Sequence, residues 1–123
     1  MAALLRSSLL HMAFGFVLMG AWALWANWSH GPAEAWPSAL AQGTASALLT
    51  ALIKKTLEGF AGRLTGLAAY AVPPFVTAAC VLIMLGAVHT LVGTPEIVRT
   101  IAFPWTFSTL YAVIYNAGLV RAR

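Results

Sequence analysis

The sequence predicts an all-α integral membrane protein, a bundle of four transmembrane helices with both termini cytoplasmic. Three observations carry that expectation. The 123 residues are 61% hydrophobic and 8% charged, with a mean hydropathy of +0.85, whereas a soluble domain carries about a quarter charged residues. Four apolar segments approach the roughly 20 residues that a helical span needs. The positive residues also fall almost entirely on one side of the alternation that four spans impose. The whole chain, 1–123, reads as a single membrane domain.

The first segment, LLHMAFGFVLMGAWALWANW, covers 9–28. Arg6 before it and Ala33-Glu34-Ala35 after it imitate a cleaved leader. The apolar run, however, exceeds the roughly 7–15 residues of a signal core. It ends in Trp22, Trp25 and Trp28, which suit a membrane interface. A retained span is the better expectation.

The second span is expected over 36–54, from Trp36 to Lys54. Within AQGTASALLTALIKKTLEGF, the residues Gln42, Ser46, Thr50, Lys54 and Glu58 recur every fourth position, so they share one face of a helix. Lys54 and Glu58 can pair across one turn. Gly43 and Ala47 form a small-xxx-small pair beside the row, which predicts close helix packing with Gln, Ser and Thr bonding across the seam. The competing reading is the lining of a polar path. Transport coupled to ions usually places an ionisable group near the midplane, and no Asp, Glu, Lys or Arg sits near the centre of any expected span.

The third span is expected over 73–93. Apolar sequence from Leu64 to Val92 is longer than the membrane core requires, and Pro73-Pro74 interrupts it. The sequence favours residues 64–72 lying along the interface, with the span starting at the prolines. One long kinked helix is the alternative. In the turn that follows, Gly93 suits a left-handed helix end, Thr94 an N-cap, and Pro95 and Glu96 the first turn of the next helix. The fourth span is expected over 100–120, with Pro104 bending its first third or marking its true start.

Orientation follows from charge. Arg6, Lys54, Lys55, Arg63, Arg121 and Arg123 share one side and only Arg99 lies opposite. The excess of positive residues marks the cytoplasmic face. Trp28, Trp36 and Trp105 are then expected at the outer interface. The location is a cell inner (plasma) membrane, with the protein multi-pass in it. The formal charge of +4 suits acidic lipid. Nucleic acid is excluded as a partner, because no soluble basic face with interleaved aromatics exists.

The polar residues divide into three candidate sites. Gln42, Gly43, Ser46, Ala47 and Thr50 form the seam or path. On the cytoplasmic side, His11, Lys54, Lys55 and Asn116, with Tyr115 nearby, could ring an anionic lipid headgroup, or could be snorkelling cations with satisfied neighbours. On the outer side lie His89, Glu96 and Arg99, with His30 and Glu34. His89 is expected to bond a Thr, Ser or Tyr of the fourth span. The histidines and glutamates lack metal-ligand spacing, and His11 and His89 lie too far apart along the bundle to share a haem iron. No cofactor or metal is expected. Cys80 sits alone in TAACVLIML and reads as a small buried hydrophobe. Asn27-Trp28-Ser29 matches a glycosylation acceptor only at chance level. No nucleophile–base pair, phosphate loop or carboxylate pair appears, so no enzyme is expected.

In size and span count the chain resembles the small multidrug resistance family, whose members pair as antiparallel dimers. That family carries a glutamate in its first span, and here HMAFGFVLMGAW holds no acid. Proton-coupled efflux of that kind is disfavoured, and the charge bias favours one fixed orientation. WTFST (105–109) is similar to a TTFST-like stretch of fluoride channels, without the surrounding pattern. No family is assigned. Because one four-helix core is filled by its own side chains, function is expected to need membrane lipids and other chains or copies. The first expectation is an accessory or structural subunit packing against partner helices. The alternative is a homo-oligomeric transporter or flippase for a small amphiphile or lipid-linked phosphate.

Overall fold

The computed structural model describes residues 2–123, with every side chain except those of Leu4 and Leu5. Four helices account for nearly all of it: α1 (Ala2–Asn27), α2 (Pro32–Phe60), α3 (Gly66–Val92) and α4 (Ile97–Arg121), with a single 3₁₀ turn at Trp28–His30. Among the described residues there is no strand. Three stretches, Arg6–His30, Gly66–Val92 and Ile97–Arg121, are long and apolar enough to cross a membrane. α2 is longer still, but it carries more of the polar residues. The turns after α1 and α3 share one end of the bundle, hereafter the hairpin end. The turn after α2 lies at the terminal end, with both chain ends.

The helices start and stop where local chemistry requires. Gly31 adopts φ +92° between the 3₁₀ turn and α2, where Pro32 opens the helix. Gly93 closes α3 with φ 80° and ψ 32°. The Gly93 N–H donates to the Thr90 carbonyl and the Thr94 N–H to the His89 carbonyl, which is the Schellman arrangement. α4 then begins later than the sequence suggests. Thr94 is not its N-cap, nor is Pro95 its first residue. Glu96 holds the capping position without a side-chain bond. Its own N–H is satisfied instead by Asn27 Oδ1 of α1, at 3.0 Å.

α1 and α2 meet through glycine. A Cβ on Gly43 would lie 3.0 Å from the Phe16 carbonyl oxygen, and one on Gly20 would lie 3.2 Å from that of Ala39. The close approach anticipated at Gly43 is therefore made within the chain, against α1. The central core lies beside the polar row of α2. Ala45, Leu49, Ile53 and Leu57 recur every fourth residue and pack on Val81 and Leu85 of α3 and on Ile101 and Ala112 of α4.

The prolines do not divide the helices. α3 runs unbroken through Pro73 and Pro74, so 64–72 is not a separate interfacial segment; most of it is the first turns of α3. A proline lacks the N–H that would bond four residues back, which frees the carbonyls of Ala69 and Tyr70. The Asn116 amide of α4 donates to both, at 2.9 and 3.2 Å. Asn116 thus replaces the missing donors, and the helix continues. Pro104 likewise lies inside α4. Trp105 is not at a bundle end. Its indole N–H donates to the Ala78 carbonyl at the middle of α3, at 2.9 Å.

Candidate functional site

Two polar constellations stand out, one buried in the bundle and one along an open groove. The first is buried near the hairpin end. Gln42 and His89 are fully buried on α2 and α3, and Thr94 is buried in the turn. His89 Nε2 lies 2.7 Å from Gln42 Oε1, and His89 Nδ1 lies 2.7 Å from Thr94 Oγ1. A carbonyl oxygen only accepts, so Nε2 carries the proton. In the neutral ring Nδ1 then accepts from the Thr94 hydroxyl. The Ser38 hydroxyl, with its single proton, lies 3.0 Å from both the Glu34 carbonyl and Thr94 Oγ1. On the other side, the Gln42 amide donates to Ser46 Oγ at 2.9 Å. The bonds run head to tail from Thr94 through His89 and Gln42 to Ser46. Polarised in one direction, such a chain strengthens its last donor. That donor is the Ser46 hydroxyl; among the described residues no acceptor within the chain takes its proton.

The second constellation is the groove into which Ser46 faces. α1 and α4 form its walls and α2 its floor. It is open along one side, offers about 220 Å³ and is lined by His11, Ser46, Thr50, Ser108 and Tyr111 among apolar side chains. Most hydroxyls of the helices are spent locally. Thr56, Thr77, Thr90, Thr100, Thr106 and Thr109 each donate to the carbonyl four residues back. Among the described residues, no such bond engages the hydroxyls of Thr50, Ser108 or Tyr111. Ser46, Thr50, Ser108 and Tyr111 thus line one groove whose other side chains are mostly apolar.

The residues singled out in the sequence separate accordingly. Gln42 and Gly43 are buried, Ser46 and Ala47 are half-buried, and Thr50 faces outward into the groove. The row on α2 is therefore a single feature only in its first half, where it joins the His89 network. His89 bonds to α2 and the turn, not to α4. The headgroup ring does not assemble as a unit. Asn116 is buried and committed to α3. His11 lies in the groove and bonds the Ser7 carbonyl at 3.2 Å. Lys54 lies 6.0 Å from the Tyr115 ring centre, and Lys55 is exposed. Lys54 and Glu58 do not pair directly; Glu58 accepts from the Tyr115 hydroxyl at 2.7 Å. Cys80 is exposed, not buried.

At the hairpin end the candidate outer cluster also divides. His30 and Glu96 approach to 3.0 Å. Arg99 stacks over Trp25 at 5.2 Å, and its carbonyl accepts from the Trp22 indole at 3.1 Å. Among the described residues no group of His, Cys, Asp and Glu could hold a metal ion. Asn27 was missed as a structural residue. It is fully buried, donates to Thr100 Oγ1 at 2.7 Å and accepts from the Glu96 N–H. Its place at the end of an apolar span was the available signal. In comparison with known proteins, no family model matches the chain, and neither a curated protein nor a solved structure matches it.

Proposed function

We propose that the chain is a four-span membrane protein with cytoplasmic termini, serving as an accessory or structural subunit of a larger inner-membrane assembly. The observation that carries this reading is the closed polar interior. Among the described residues every buried side-chain nitrogen and oxygen has a partner within the chain. The buried polar groups are thus spent on holding the helices of one chain to one another, which suits a packing element. α2 fits as the fourth span because its polar residues Ser38 and Gln42 turn inward, while Leu40, Leu48 and Leu52 face outward. The distribution of Lys and Arg supports the orientation. The reading is non-enzymatic.

The test is native mass spectrometry after gentle extraction from the source membrane. A stoichiometric complex with one larger membrane protein is expected. A chain that leaves the membrane only as monomer or as copies of itself would overturn the subunit reading. A second reading, a homo-oligomeric carrier for an amphiphile, draws on the groove that gathers His11, Ser46 and Thr50. A ring of copies carrying bound lipid would favour it.

A further inference from the structure

We infer that His89 is a binding site for one proton, built so that its imidazole can be charged as well as neutral while the bundle stays folded. The inference goes beyond the subunit reading and needs only the single chain. A charge in an apolar interior is costly unless it is fully hydrogen-bonded. The surroundings of His89 meet that condition without moving a side chain. Gln42 Oε1 accepts from Nε2 in both states. Thr94 Oγ1, 2.7 Å from Nδ1, can donate or accept. In the neutral setting the Thr94 hydroxyl gives its proton to Nδ1. In the charged setting Nδ1 donates to Thr94 Oγ1, and the Thr94 proton turns to Ser38 Oγ at 3.0 Å. The Ser38 proton then rests on the Glu34 carbonyl, also at 3.0 Å. Every donor of the network has an acceptor in either setting, so a proton is added and no donor is stranded.

The place in the fold also suits a cation. His89 lies in the last turn of α3, where a helix presents its negative end. Thr90 and Gly93 beside it are exposed, and so is Glu34, one turn from Ser38. A proton therefore has a short way to the ring from the hairpin end and need not cross the bundle. No side chain supplies a counter-ion. α1 brings no titratable group to this end, the turn after it brings His30, α2 brings Glu34, and the start of α4 brings Glu96 and Arg99. Among the described residues none of these side chains bonds to the network; His30 lies against Glu96, and Arg99 over Trp25. The reversible hydroxyls of Thr94 and Ser38 are thus what admits the charge.

The experiment uses the full chain in detergent micelles, with His11→Gln and His30→Gln leaving His89 as the single histidine. The ring nitrogens are isotope-labelled and followed by NMR from about pH 8 to about pH 4, around the range in which histidine changes charge. At the start Nε2 should be protonated and Nδ1 bare. Acid should then protonate Nδ1 in one reversible step, with the backbone amide pattern kept. Ser38→Ala removes an acceptor that only the charged setting uses, since the neutral ring keeps the Thr94 proton. It should weaken proton affinity about tenfold, as loss of one hydrogen bond in a charged network does, and leave the starting tautomer unchanged. Thr90→Ala, whose hydroxyl is spent on the Gly86 carbonyl, should leave the affinity unchanged. A ring that stays neutral until the amide pattern collapses would overturn the inference. So would a ring that carries its proton on Nδ1 at the start. Both results are read with the network intact, so they decide even where Ser38→Ala fails to fold. Unchanged affinity in a folded Ser38→Ala chain would overturn it as well.

Discussion

His89 illustrates how a titratable side chain is kept inside an apolar helix. Both ring nitrogens are occupied, one by the Gln42 carbonyl and one by the Thr94 hydroxyl. His89→Leu should strand the Gln42 amide oxygen and lower stability by about 1–3 kcal/mol, the cost of an orphaned buried acceptor. Adding Gln42→Leu should recover part of that loss, since removing both partners is far cheaper than removing one. Unfolding of both variants in mixed micelles checks this; a double variant no more stable than His89→Leu alone contradicts it. The sequence put His89 on a helix one turn before Gly93. It could not name the partner, because Gln42 is 47 positions away and spacing within one helix says nothing about which neighbour it faces. The groove hydroxyls were half visible for the same reason: Ser46 and Thr50 stood out as a row, while Ser108 and Tyr111 did not.

At the scale of an element, the prolines of α3 and the asparagine of α4 form one unit. Asn116→Leu should cost about 1–3 kcal/mol by leaving two carbonyls unbonded. In a background of Pro73→Ala and Pro74→Ala, whose restored N–H groups bond those carbonyls, the same change should cost little. A double-mutant cycle measures the coupling, and additive effects would refute it. Local sequence favours starting the span at Pro73-Pro74, with one long kinked helix as the alternative, because proline argues from its own neighbourhood. The repair lies more than forty residues later, outside any local window. α1 and α2 depend on a different device. Gly43→Leu should force α1 off α2, since even a Cβ there would touch the Phe16 backbone at 3.0 Å. Cross-linking between cysteines placed by Gly15→Cys and Ser46→Cys, whose backbones meet across α1 and α2, read in a Cys80→Ser background with and without Gly43→Leu, reports the separation, and an unchanged yield counts against it.

For the whole molecule, the testable quantity is topology. With Cys80→Ser as background, Ser8→Cys and Gly62→Cys should label from the cytoplasm, and Ser29→Cys from the opposite side. Labelling of Ser8→Cys and Ser29→Cys from the same face would eliminate the four-span arrangement. The all-helical class was readable from composition and segment length, because a chain with so few charges has few alternatives. The helix ends were less so. α1 and α2 extend beyond the apolar segments by one to two turns, since polar residues outside the lipid core still favour helix when a helix is already nucleated.

The fork of Asn116 onto two carbonyls also bears on how the chain enters the membrane. If α3 crosses a bilayer, it is made before α4, and Pro73 and Pro74 leave two carbonyls without a donor until Asn116 arrives. Only α4, synthesised afterwards, carries the donor. α3 is therefore a poor solitary passenger, and the insertion machinery should hold it until α4 arrives and release the two as a pair. Asn116→Leu would then be read first as slowed or failed integration of α3, before any loss of the finished protein's stability is seen.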